Sequence, residues 1–268
     1  MAELKSYMVE SEAGAQHYLA AGSGTPLVML HGMGAVAATW TAVAEAFSDE
    51  YRVVIPDLAG HGASAPLQGE LNFALQMAGL EAVRRAECTE SPQPAILVGH
   101  SLGGWLACLL TFAHPESVRR VVLVNGPLLM PWPEGLSLQP RDHAGAAKLF
   151  DATRSSTSPP VSDAVLDAYI AYANAGPISR FVFDVETWKP YFLNDRLHDF
   201  PRPVDLIWGM EDKLVTFANA EIMLEQLPRA RATRLEGCGH LPHFDCPQIF
   251  IAALREVLSR PAPGEDAP

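Results

Sequence analysis

Short apolar runs recur along the chain, at Leu27 to Leu30, Val53 to Ile55, Ala95 to Val98, Val121 to Val124 and Val204 to Trp208, with Thr233 to Leu235 a weaker last one. Runs of three to five residues without polar alternation read as strands buried on both faces. Between them the apolar spacing lengthens to a helical period, which predicts helices near residues 38–48, 71–87, 101–113, 217–227 and 247–259. Strand and helix in alternation predict an α/β fold, a mostly parallel central sheet flanked by helices. No internal repeat is present.

One stretch breaks the rhythm. From Pro127 to Pro203 no buried strand is apparent and prolines are frequent, while pieces such as Val161 to Asn174 are helical in period. The predicted organisation is therefore a core of residues 1–126 and 204–268 interrupted by a helical lid over 127–203. In α/β folds the ligand crevice lies beyond the carboxyl ends of the strands, where such a segment would cover it.

Composition narrows the function. The 268 residues carry a formal charge of −12, with no basic patch to override it, which argues against nucleic acid as a partner. The amino terminus lacks the basic and apolar regions of a secretory signal, and no apolar run is long enough to span a bilayer. Four cysteines without a CxxC pair suggest neither a disulfide framework nor a zinc site. The expectation is a cytoplasmic enzyme with reduced thiols and a small-molecule substrate; a homo-oligomer stays open.

The chemistry is concentrated in Gly99-His100-Ser101-Leu102-Gly103, a G-x-S-x-G sequence between a predicted strand and a predicted helix. At such a turn the serine sits on a strained bend that lifts its hydroxyl to the top of the sheet. A serine needs a base, and the base an orienting carboxylate. His240 follows the last predicted strand on a Gly237-Cys238-Gly239 turn, with His243 as its rival; Asp212 follows the strand ending at Trp208, with Glu211 as the competitor. Asp212 also fits the simpler role of a helix cap. The backbone N–H groups of Leu102 and of Met33, in His31-Gly32-Met33-Gly34, are the candidate oxyanion donors.

These pieces, together with Asp57-Leu58-Ala59-Gly60-His61-Gly62-Ala63-Ser64, Trp208-Gly209-Met210-Glu211-Asp212 and Gly239-His240 followed by Asp245-Cys246-Pro247, resemble the α/β-hydrolase fold family in its esterase, lactonase and carbon–carbon bond hydrolase branch. The resemblance runs nearly end to end and implies nucleophile, acid and base at Ser101, Asp212 and His240. Similar epoxide hydrolases and haloalkane dehalogenases carry aspartate where this chain has Ser101, and similar chains carry glutamate where it has Asp245.

The reaction expected is acyl transfer from a small to medium, largely apolar ester or lactone to water, without metal or cofactor. Leu128, Leu129, Met130, Trp132, Phe181, Phe183, Trp188, Tyr191 and Phe192 are candidates either to line an acyl pocket or to form the core of the lid. One alternative is hydrolysis of a carbon–carbon bond in a vinylogous diketone acid, with Arg180 or Lys189 meeting the substrate carboxylate. Another, outside enzymology, is a ligand receptor on the same fold.

Overall fold

Each apolar run becomes a strand of one eight-stranded sheet in the computed structural model, which describes residues 3–88, 93–127, 129, 132–182, 184–227 and 229–263. The strands are β1 (Lys5–Val9), β2 (Gln16–Ala21), β3 (Pro26–Leu30), β4 (Arg52–Pro56), β5 (Ala95–His100), β6 (Val118–Val124), β7 (Val204–Gly209) and β8 (Arg231–Leu235). Their order across the sheet is β1-β2-β4-β3-β5-β6-β7-β8. β2 runs antiparallel to both its neighbours and all other pairs are parallel.

The helices are α1 (Thr41–Phe47), α2 (Phe73–Glu87), α3 (Leu102–Ala113), α4 (His143–Thr153), α5 (Asp163–Ala175), α6 (Pro177–Arg180), α7 (Val185–Trp188), α8 (Phe217–Gln226), α9 (Pro242–Asp245) and α10 (Pro247–Ser259). Side chains alternate across the sheet, so each strand feeds two cores. Leu27 and Met29 of β3 join Val43 and Phe47 of α1 and Phe250, Leu254 and Val257 of α10. Val28 and Leu30 turn the other way, toward Leu80 and Val83 of α2, Leu106 and Leu110 of α3 and Met223 of α8. Two buried faces explain why these strands read as unbroken apolar runs.

β1 and β2 lie outside the sequence prediction, and the reason is visible in their side chains. β1 is a half-exposed edge strand. β2 carries Gln16 and His17, whose polarity is absorbed locally: Gln16 Nε2 donates to the Gly14 and Ala65 carbonyls, and His17 Nδ1 pairs with Asp57 Oδ2 at 2.8 Å.

Among the described residues, the segment between β6 and β7 holds α4 to α7 and no strand of the sheet. It is stitched to the rest at several points. Leu71 N–H donates to the Arg180 carbonyl and Val182 N–H to the Leu71 carbonyl, while Trp105 Nε1 donates to the Tyr191 carbonyl at 2.7 Å. The chain moves outward from β3 to β4 and then returns to β5 on the other side of β3. Loops leaving β3 and β5 thus diverge at their carboxyl ends and open a crevice between them.

Candidate active site

Ser101 occupies that crevice, between the last residue of β5 and the first of α3, with φ 52° and ψ −118°. Positive φ at a non-glycine residue costs on the order of 1–3 kcal/mol and persists only where the surroundings enforce it. Here Ser101 N–H is held by the Val124 carbonyl at 3.0 Å, and α3 presses against β3 so closely that a Cβ on Gly103 would stand 2.4 Å from the Leu30 carbonyl oxygen. Only glycine allows that approach.

The β3 loop passes directly beside the nucleophile, since a Cβ on Gly32 would lie 3.1 Å from Ser101 Cβ. Ala35 N–H closes a turn on the Gly32 carbonyl at 3.2 Å, and Gly34 takes φ +73°. A type II turn requires that sign at its third residue, which accounts for glycine at position 34. Met33 is the second residue of this turn, and neither its N–H nor that of Leu102 donates to another described residue. Both candidate oxyanion donors are therefore free.

Asp212 and His240 come together from the loops after β7 and β8. His240 Nδ1 donates to Asp212 Oδ2 at 2.7 Å, and the residues are only 4% and 5% exposed. A carboxylate accepts but does not donate, so the ring carries its proton on Nδ1 and leaves the Nε2 lone pair for chemistry. Asp212 Oδ1 accepts from the N–H groups of Leu214 and Val215, which orders its own loop. Asp212 does not cap α8, whose N-cap is Thr216, and its second oxygen orders the loop while the first orients the imidazole. Among the described residues no hydrogen bond joins Ser101 to His240; such contacts are often long until substrate is bound.

The competitors are engaged elsewhere. Glu211 is half-buried and its carboxylate accepts from Ser156. His243 is buried with its ring stacked on Trp40 at 4.0 Å, and burial lowers its pKa to about 3. His100 turns from the serine and uses Nε2–H to donate to the His240 carbonyl at 2.8 Å. Burial, reinforced by the neighbouring imidazoles of His243 and His240, holds it well below the ordinary range, so it stays neutral.

Two supports of the pair escaped the sequence reading. Asn125, buried at the end of β6, donates through Nδ2 to Asp212 Oδ2 at 2.7 Å and accepts the Gly209 N–H on Oδ1. Its φ of 44° is a value asparagine tolerates better than most residues. The carboxyl end of α4 supplies the other: the Thr153 carbonyl accepts His240 N–H at 2.6 Å and the Ala152 carbonyl accepts Lys213 N–H at 2.8 Å. Those last-turn carbonyls lack intrahelical partners and carry the negative end of the helix dipole. No local motif marks either support in the sequence.

Of the aromatic residues expected near the site, Phe181, Trp188 and Tyr191 pack with Phe73 and Trp105 at centroid separations of 4.9 to 5.9 Å, forming a core between α2, α3 and the β6–β7 segment. Trp105 lies one helical turn beyond Ser101 and remains half-buried. Trp132 is largely exposed, and Leu128, Met130 and Phe183 lie outside the described residues. Arg180 donates to the carbonyls of Pro66 and Gly69. Among the described residues, no helix is long and apolar enough to cross a membrane, and no group of three or more His, Cys, Asp or Glu side chains could hold a metal ion.

The chain is similar to several known proteins. A pimeloyl-(acyl-carrier protein) methyl ester esterase of Aromatoleum aromaticum is 30% identical over 258 residues, covering 87% of this chain and 97% of the relative. That of Aeromonas hydrophila is 29% identical over 251 residues, covering 88% and 96%. A bacterial membrane phospholipase A superposes with a TM-score of 0.79 at 25% identity, over 96% of this chain and 86% of that one. An N-acyl homoserine lactone degrading enzyme matches in fold, with a TM-score of 0.79 at 23% identity over 93% and 99% of the two chains. The Alpha/beta hydrolase family matches residues 27–253, which takes in the crevice loop, the Ser101 turn and both the Asp212 and His240 loops. With its sheet order, strained serine turn and full-length relatives in agreement, the chain belongs to the alpha/beta hydrolase family.

Proposed function

We propose that the protein is a serine esterase that hydrolyses small to medium, largely apolar carboxylic esters or lactones, with residues 127–203 as its lid. The observation that carries this reading is the pairing of a serine in the left-handed region with a buried His240–Asp212 couple across one crevice. His240 Nε2 takes the proton of the Ser101 hydroxyl as Oγ attacks the substrate carbonyl. The N–H groups of Met33 and Leu102 stabilise the resulting oxyanion, and Asp212 stabilises the imidazolium. The negative end of α4, against the His240 loop, favours the same positive charge. The imidazolium then hands its proton to the departing alkoxide, leaving an acyl-serine. Water, deprotonated by His240, attacks that ester and restores the free hydroxyl.

The relatives that are ester hydrolases over nearly their whole length support an ester substrate. Trp105, one turn from Ser101, and the aromatic cluster behind it support an apolar one. Of the two candidate contacts for the carbon–carbon alternative, Arg180 is bound to two loop carbonyls, which leaves Lys189 to meet a substrate carboxylate. A cytoplasmic setting fits the four free thiols. Turnover of a p-nitrophenyl ester series of increasing acyl length, measured beside a dienoic diketone acid, tests the reading. Ester turnover within the usual enzyme range of about 1–1,000 per second supports it. Rapid cleavage of the diketone acid with negligible ester turnover contradicts it.

A further inference from the structure

The turn that presents Met33 N–H is gripped from two sides at Gly34. On one side, the Gly34 N–H donates to His61 Nε2 at 3.2 Å. His61 is buried, which lowers its pKa to about 3 and leaves the ring neutral and able to accept. On the other side, the Gly34 carbonyl accepts a 2.7 Å hydrogen bond from the hydroxyl of Tyr172, on α5 of the β6–β7 segment.

Packing reinforces the second grip. A Cβ on Gly34 would stand 2.5 Å from Ile178 Cδ1, so α6 rests directly on the turn. The Tyr172 ring lies against Gly176, where a Cβ would be 3.1 Å from Cε2. Burial, with the negative charge of Asp57 adding to it, raises the Tyr172 pKa, so the phenol stays protonated and keeps donating. Other ties between this segment and the core, at Leu71 and Trp105, do not touch the turn.

We infer that Tyr172 is a positioning residue for the oxyanion hole: through the Gly34 carbonyl it couples the docked lid to the turn that presents the Met33 N–H. It acts through the backbone and does not touch the reacting atoms. The inference rests on the serine-esterase reading, because only there does Met33 N–H hold an oxyanion. A hydrogen bond aimed at a developing charge is more valuable in the transition state than in the ground state, so loosening the turn acts on kcat.

Tyr172→Phe deletes the hydroxyl and keeps the ring, which is 38% exposed, so folding is unaffected. kcat and KM are measured for a p-nitrophenyl ester and for its thiono analogue, in which the carbonyl oxygen is sulfur. A loss of about three- to tenfold in kcat is expected, with KM within about twofold, matching the worth of one hydrogen bond. The oxo-to-thiono ratio of kcat should narrow severalfold, because sulfur accepts hydrogen bonds weakly and a loosened hole discriminates less. A purely structural role would leave that ratio unchanged. Wild-type kcat and ratio in the variant, or a lower kcat at an unchanged ratio, overturn the inference alone. Absence of Ser101-dependent ester turnover in the wild type overturns the esterase reading, and the inference with it.

Discussion

Ser101 sits on a strained turn between β5 and α3 that is clamped at the sheet, by the Val124 carbonyl of β6 and the close approach of α3 to β3, whereas Asp212 and His240 sit on loops tied to Asn125, His100 and the end of α4. The nucleophile therefore depends on close packing at its own turn, above all at Gly103, which lets α3 approach β3. The acid–base pair depends on Asn125 at the end of β6, on the Thr153 carbonyl at the end of α4 and on His100. One half of the site is clamped by close backbone packing around a single turn. The other is assembled, and its geometry is only as good as the docking of α4 and β6.

Replacing the reacting groups is the most severe way to probe the two halves. Ser101→Ala should lower kcat at least about a thousandfold, since nucleophile and base act as a unit. Asp212→Asn should cost on the order of 10²–10⁴-fold by placing the wrong tautomer at His240. Glu211→Gln should change kcat less than about threefold, because Glu211 faces Ser156 and not the imidazole. Steady-state kinetics on one activated ester checks all three, and a larger loss from Glu211→Gln than from Asp212→Asn would reverse the acid assignment.

Removing a support loosens one half of the site. Asn125→Ala strips Asp212 Oδ2 of one donor and leaves the buried Gly209 N–H without its acceptor. We expect roughly a tenfold fall in kcat and about 1–3 kcal/mol of lost stability, read by kinetics and urea unfolding. Unchanged kcat would show that the pair holds itself together without β6.

The same division explains what the sequence revealed. Strands β3 to β7 were legible because double-sided burial writes them as apolar runs, β8 only weakly because it is a half-exposed edge strand carrying Arg231 and Arg234, and the Ser101 turn was legible because its parts are contiguous. β2 was not, because Gln16 and His17 are polar yet satisfied by Gly14, Ala65 and Asp57, contacts that no local pattern announces. Asn125 and Tyr172 were missed for a related reason. Asn125 follows an ordinary buried strand, and Tyr172 looks like any half-exposed aromatic on a helix; each matters through a partner distant in the chain. The aromatic residues of the β6–β7 segment left pocket and core equally open, and their mutual packing favours core for Phe181.

A smaller effect comes from the layer behind the base. His243 is neutral in the fold, with a pKa near 3 against about 6.5 when exposed, so between those values the unfolded chain binds more protons than the folded one. Stability is therefore complete above about pH 6.5 and falls as pH drops toward 3, by at most about 1.4 kcal/mol per pH unit for this one group. Neither ring nitrogen of His243 has a hydrogen-bond partner among the described residues, so His243→Phe should fold well and lose this term. Its urea-unfolding midpoint should decline less than that of the wild type between about pH 7 and pH 4.5. Identical slopes would mean that the burial of His243 does not set the acid sensitivity.

Covalent capture identifies the nucleophile. Brief exposure to an organophosphonate ester, followed by intact-mass and peptide mass spectrometry, should reveal one phosphonyl group per chain, attached to Ser101, with ester turnover lost in proportion to labelling. Ser101→Ala should take up none. Full ester turnover in protein that remains unlabelled, or stoichiometric labelling of a residue other than Ser101, would contradict the account.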